Sequence, residues 1–154
     1  MDLRTRLQAA TKEAMKARDA ARLSTLRLIG AAIKDREIAA RSGSGDEAEL
    51  GDADLVAILS KMVKQRQESA RAYEEGGRLE LAEKELDEIR VIQEYLPRQL
   101  SDEEVAAAVD KVVADLNAES LRDRGRVMAE LRARHSGQMD FGSVGALVKQ
   151  RLLG

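Results

Sequence analysis

The stretch EYLPRQLSDEE, residues 94–104, decides how the chain is divided. Pro97 is the only proline in 154 residues. Its ring crowds the residue before it and pushes Leu96 out of the helical region, so a helix running into Tyr95 has to stop there. Ser101 and Glu104 then have the spacing of a capping box, in which each side chain accepts the other residue's backbone N–H and starts a new helix. One helix ends, a few residues pass, and another begins.

Working upstream, helical spacing is everywhere and strand-like alternation nowhere. Leu3, Leu7, Ala10, Ala14 and Ala17 follow a rhythm of three and four. Asp19 is placed to cap a second helix with Leu23, Leu26, Ile29 and Ile33 on one face. SGSGDEAELG, residues 42–51, reads as an exposed acidic loop. Asp52 is placed to cap a third helix with Leu55, Leu59 and Met62 inward, and Gly76-Gly77 closes it, because glycine tolerates the left-handed conformation. A fourth helix spans about Arg78 to Tyr95, with Leu79, Ala82, Leu86, Ile89 and Ile92 inward.

Downstream, Val105, Val109, Val112, Val113 and Leu116 belong to the helix that Ser101 starts. A sixth helix covers roughly 123–134, residues 135–140 turn, and a last helix at about 141–153 carries Val144, Leu147, Val148 and Leu152. The expectation is an all-α chain: a four-helix N-terminal subdomain at 1–96 and a small three-helix C-terminal subdomain at 97–154.

Composition fits this. Apolar residues make up 44% and charged residues 35%, with one Phe, two Tyr and no Trp, a mix typical of helices packed on helices. With no cysteine, disulfides and thiolate metal sites are excluded. The first residues lack the apolar segment of a secretory signal. The longest apolar run, LIGAAI at 28–33, is far too short to span a bilayer. These features lead to the expectation of a soluble cytoplasmic protein with no membrane contact.

Charge is unevenly spread although the net is −2. Residues 1–41 hold ten Lys/Arg against five Asp/Glu, and 121–154 hold seven against three. Residues 42–97 hold seven against fourteen, and 98–120 two against six. Basic ends and an acidic middle either neutralise each other in the fold or present a basic face to an anionic partner.

No nucleotide-binding glycine motif occurs. The single histidine, His135, has no second histidine or cysteine with it, and its place at a helix end suits the helix dipole. Glu83 and Asp87 lie on a surface of alternating charge and read as a solvated face. No catalytic centre is legible, and nothing calls for a cofactor or metal.

Four stretches carry a family resemblance: LRLIGAAIKDREI at 26–38, KMVKQRQESARAYEEGGRLELAEKELDEIRVIQEYLPRQLS at 61–101, DRGRVM at 123–128 and GSVGALVKQRLL at 142–153. In this order they resemble the YqeY-like family, also called the GatB/YqeY domain. The resemblance implies an all-helical fold of two subdomains. It also implies a relation to the tail of the B subunit of the tRNA-dependent amidotransferase, where that tail helps to hold the tRNA while chemistry occurs elsewhere. Similar modules are attached to a glutaminyl-tRNA synthetase. The implied partners are therefore tRNA, an aminoacyl-tRNA synthetase or an amidotransferase. The family label, a carbon–nitrogen ligase with glutamine as amido donor, has no catalytic parts to support it here. The chain departs from the family where Arg124 replaces a usual apolar residue and Arg126 a usual lysine. The 42–51 loop is also longer than usual.

RDRGRVM, residues 122–128, is the segment where a binding role is most legible. With Asp123 as cap, Arg124, Gly125 and Arg126 fill the first turn of the sixth helix. Cations there oppose the helix dipole by about 0.3–1 kcal/mol each, and glycine costs up to about 1 kcal/mol against alanine. A phosphate would reverse the first cost by meeting both the arginine forks and the free N–H groups. Arg122, Arg124, Gly125 and Arg126 are therefore candidate nucleic-acid contacts, with Arg132 and Lys149 widening the patch. The alternative is structural: Gly125 admits a neighbouring helix, and Arg122 and Arg126 pair with acids of the 98–120 segment. With so few aromatic residues, RNA would be recognised by backbone and shape rather than base stacking.

Overall fold

The computed structural model describes residues 2–44 and 50–154. Among the described residues there are seven α-helices, one short 3-10 turn and no strand. Contacts gather into two units, Met1–Leu96 and Pro97–Gly154.

The first unit holds α1 (Leu3–Ala17), α2 (Ala20–Ser44), α3 (Asp52–Glu75) and α4 (Leu79–Gln93). α1 ends on Arg18 in the left-handed region, φ 56°, and Asp19 caps α2 by accepting the Arg22 N–H at 3.1 Å, as expected. α2 runs on through Ser44, past the start of the expected 42–51 loop. Serine and glycine weaken a helix without forbidding it. Residues 45–49 of that loop lie outside the described residues.

The cap expected of Asp52 is corrected. Gly51 takes the cap position of α3, and Asp54 accepts its N–H at 3.1 Å. Asp52 accepts instead from the Leu3 N–H of α1 at 3.3 Å, so it caps a helix far away in sequence. α3 closes as expected on Gly77, φ 74°, with the Arg78 N–H returning to the Tyr73 carbonyl at 2.8 Å. Leu79, expected inward, is 65% exposed. It is the first residue of α4, and its Cβ tilts toward the helix N-terminus, off the packed face.

Leu3, Leu7, Leu26, Ile29, Leu55, Leu59, Ile89 and Ile92 form the core of this unit. Burying each large aliphatic contributes about 1.5–3 kcal/mol. Arg66 Nε meets Glu88 at 2.7 Å, joining α3 to α4. Tyr95 is buried, and its hydroxyl accepts from Arg22 at 2.7 Å. Arg6 and Arg22 stand 5.6 and 6.0 Å from its ring centroid, so the unit's last aromatic is held by two arginines.

The second unit holds α5 (Asp102–Asp115), the 3-10 turn Leu121–Asp123, α6 (Arg124–Arg134) and α7 (Phe141–Leu153). The expected capping box is present: Ser101 Oγ accepts the Glu104 N–H at 3.2 Å, and Glu104 accepts the Ser101 N–H at 3.0 Å. Arg98 adds a fork to Glu104 at 2.9 and 2.8 Å. α5 closes on Asn117, φ 51°, with the Ala118 N–H returning to Val113 at 3.0 Å, the Schellman pattern. Leu100 donates its N–H to the Gln138 carbonyl at 2.9 Å, tying the segment before α5 to the turn after α6. Val109, Val127, Leu131 and Val148 are fully buried and bring the three helices onto one core.

Candidate nucleic-acid interface

The start of α6 differs from the sequence expectation, and the difference changes the argument for the site. Asp123 has helical backbone angles and does not cap α6 with its side chain. Its carboxylate turns back and accepts the N–H groups of Glu119 at 2.9 Å and Ser120 at 3.3 Å. The 3-10 turn therefore leads directly into α6, and the Arg124 N–H is already bonded to the Leu121 carbonyl. Helical structure begins about one turn earlier than expected. The Arg124 N–H is therefore not bare, and of the arginines only Arg122 stands in the 3-10 turn itself. Three donors hold the Asp123 carboxyl below the usual carboxylate range: the Glu119 N–H first, then Arg126, then the Ser120 N–H.

The arginines separate into distinct roles. Arg126 is partly used by the fold, because it reaches Asp123 at 3.0 Å and the Leu116 carbonyl at the end of α5 at 3.2 Å. The expected pairing with acids of the 98–120 segment is thus replaced by a backbone carbonyl of that segment and by an acid of its own turn. Arg122 is exposed and forms no ion pair among the described residues. Arg122 and Arg126 line one surface depression together with Asn117, Glu119, Ser120 and Asp123. Arg124, also exposed and without an ion pair among the described residues, lies across α7 at Gly145.

Gly125 is exposed, and a Cβ built on it meets nothing within 4 Å. The structural explanation for this glycine, close approach of a neighbouring helix, is therefore absent. Lys149 is exposed one helical turn after Gly145, on the flank of α7 that Arg124 crosses. Arg132 is not part of this cluster. It lies eight residues along α6 from Arg124, about 12 Å along the axis, with its guanidinium 5.7 Å from the Phe141 ring centroid.

The sequence reading missed Asn117, Glu119 and Ser120 as lining residues. Asn117 did carry a signal, since asparagine after an apolar helix end often takes the left-handed closing position. Elsewhere, His135 sits at the end of α6 with Nδ1 3.1 Å from the Gln138 side-chain oxygen. Glu83 and Asp87 both pair with Arg90, in keeping with a solvated charged face. Among the described residues, no helix is long and apolar enough to cross a membrane.

A family model described as Yqey-like protein matches residues 4–152. The chain belongs to this family. The resemblance of the four stretches therefore holds over nearly the whole sequence. Among similar proteins is "Altered inheritance of mitochondria protein 41, mitochondrial" of Eremothecium gossypii, 37% identical over 70% of this chain. Proteins of the same name from Vanderwaltozyma polyspora and Kluyveromyces lactis are 36% and 35% identical, each over 68% of this chain. The matches cover 57%, 55% and 55% of these relatives, so the chain spans little more than half of their length. The expectation of a cytoplasmic protein is corrected by this finding, because the relatives are named as mitochondrial.

Proposed function

We propose that this Yqey-like chain is a non-catalytic accessory module that holds tRNA by its phosphate backbone, linked to a tRNA-dependent amidotransferase or to aminoacyl-tRNA metabolism. In this reading residues 1–96 form a four-helix subdomain, and 97–154 form the three-helix subdomain that makes the contact. Arg122 and Arg124 are the principal phosphate ligands, with Arg126 and Lys149 beside them and Arg132 a distant, weaker contributor. The observation that carries the reading is that Arg122 and Arg124, on either side of Asp123 where the 3-10 turn enters α6, form no ion pair among the described residues and stand beside a glycine that packing does not require. Unpaired guanidinium forks near an exposed backbone suit phosphate oxygens.

The test is binding of bulk tRNA over a salt series, with Arg122→Ala/Arg124→Ala beside the wild type. Three neutralised phosphates give a log–log slope of about −2.7, or roughly 40-fold weaker binding between about 50 and about 200 mM salt. The double variant is expected to bind weakly with a shallow slope. A flat salt response of the wild type, or no binding at micromolar protein in low salt, removes the reading.

A second reading is favoured by Leu121 and Leu153, which are 43% and 64% exposed in the same unit. These apolar side chains suit docking on a protein such as a synthetase or amidotransferase. Copurification with a protein partner that survives nuclease treatment distinguishes this reading from the first. The glutamine-dependent ligase label is tested by assaying glutamine hydrolysis by the purified chain, with no turnover above background expected.

A further inference from the structure

We infer that Gly145 is a positioning residue, the seat on which the Arg124 side chain is laid across α7 toward an anionic phosphate. The inference rests on the phosphate-contact reading above. Gly145 is buried in the middle of α7, between the core residues Val144 and Val148. Alanine forms helix better than glycine at such a position, so the missing methyl needs a reason. A Cβ built there would lie 3.1 Å from Arg124 Nη2 and 3.9 Å from Met128 Cε, with nothing else within 4 Å. The second distance is ordinary van der Waals contact. The methyl is therefore left out for the end of one arginine.

No carboxylate holds that arginine, since Arg124 forms no ion pair among the described residues. The glycine leaves room for the guanidinium against α7, and no acid among the described residues compensates its charge. The atom against Gly145 is Nη2 of the guanidinium, so the fork itself meets the helix there, and a planar fork whose position is restricted beforehand loses less freedom when it binds a phosphate. Gly125 is the contrast: its missing methyl faces open space, so it seats nothing within its own fold.

The experiment compares Gly145→Ala, Arg124→Ala and the double variant with the wild type in the full chain. Three readouts are taken: thermal melting, bulk tRNA binding over a salt series, and the Nε–H resonance of Arg124 by NMR. Gly145→Ala is expected to melt no lower than the wild type, because only a flexible side-chain end has to move. Its log–log salt slope is expected to be shallower by about 0.9, the loss of one phosphate contact. Arg124→Ala should match it, and the double variant should lose nothing more. Wild-type binding by Gly145→Ala, where Arg124→Ala is weakened, overturns the seat. If the wild type itself does not bind tRNA, the functional reading fails, and the NMR readout decides the seat alone. A displaced Arg124 resonance in Gly145→Ala supports it, and an unmoved one overturns it.

Discussion

Two helix starts in the same unit are built on opposite rules. α5 begins with Ser101 as cap and Asp102, Glu103 and Glu104 in its first turn. Its Ser101 and Glu104 N–H groups are met by the capping box, and its charges favour the helix dipole. The 3-10 turn carries Arg122, and the start of α6 carries Arg124, Gly125 and Arg126, with Asp123 facing backward to hold the turn. Both starts hang on the same core of Val109, Val112, Val127 and Leu131. A unit of this size has little stability to spare. One start is explained by folding alone. The other keeps cations and a glycine that folding does not ask for, and this excess is what a binding role accounts for.

The comparison holds only while the shared core stands, so the largest effect comes from removing it. Leu131→Ala, at a fully buried position, is expected to cost about 2–5 kcal/mol. Chemical denaturation followed by NMR should show residues 97–154 losing protection ahead of residues 1–96, with tRNA binding lost alongside. Cooperative loss of both units together would count against treating the second unit as its own folding element.

The next change breaks the well-made start. Ser101→Ala removes the hydroxyl that accepts the Glu104 N–H and is expected to cost about 1 kcal/mol, read from the denaturation midpoint. tRNA binding measured well below the melting temperature should stay as it is. Gly125→Ala tests the other start from the opposite side. The added methyl meets open space, so stability should rise by up to about 1 kcal/mol, while close approach of a phosphate is hindered and binding weakens. A fall in stability would mean that the glycine serves the fold.

The smallest effect is a pH dependence at the α5 start. The Glu104 carboxyl is lowered from 4.5 to about 2, chiefly by the Arg98 fork and then by the Ser101 N–H. A carboxyl depressed in the folded state stabilises above its unfolded value and loses that contribution as pH falls through the folded value. The stabilisation is therefore complete above about 4.5 and fades between there and about 2. Glu104→Gln should flatten that part of the acid unfolding curve, and only slightly, because the pair is exposed to solvent. The Asp123 carboxyl, also held low, adds an acid dependence at the α6 start, which Arg122→Gln should leave in place because Arg122 does not touch it.

What was legible in the sequence was local. The Pro97 boundary, the Ser101–Glu104 box, the Asp19 cap and the Gly77 closure each depend on residues within five positions of one another. What was not legible depends on distant partners. Nothing near Asp52 in sequence says that it will cap α1 at Leu3. Nothing near Tyr95 says that Arg6 and Arg22 will meet its ring. At the candidate site, the arginines were readable as an anomaly of charge. Their division into a tethered Arg126, an unpaired Arg122 and an Arg124 laid on Gly145 needed the packing of α5 and α7. The expected cap at Asp123 failed because a carboxylate can close the turn behind it as well as the helix ahead of it.

The central claim is that the 122–126 turn trades stability for an anion contact. Arg122→Glu/Arg124→Glu tests it most directly, with melting temperature and tRNA binding at low salt measured on the same preparation. Reversed charge near a helix start favours the dipole, so the melting temperature should hold or rise while binding falls to background. A lower melting temperature with tRNA binding unchanged would contradict the account, because the arginines would then be supporting the fold and nothing else.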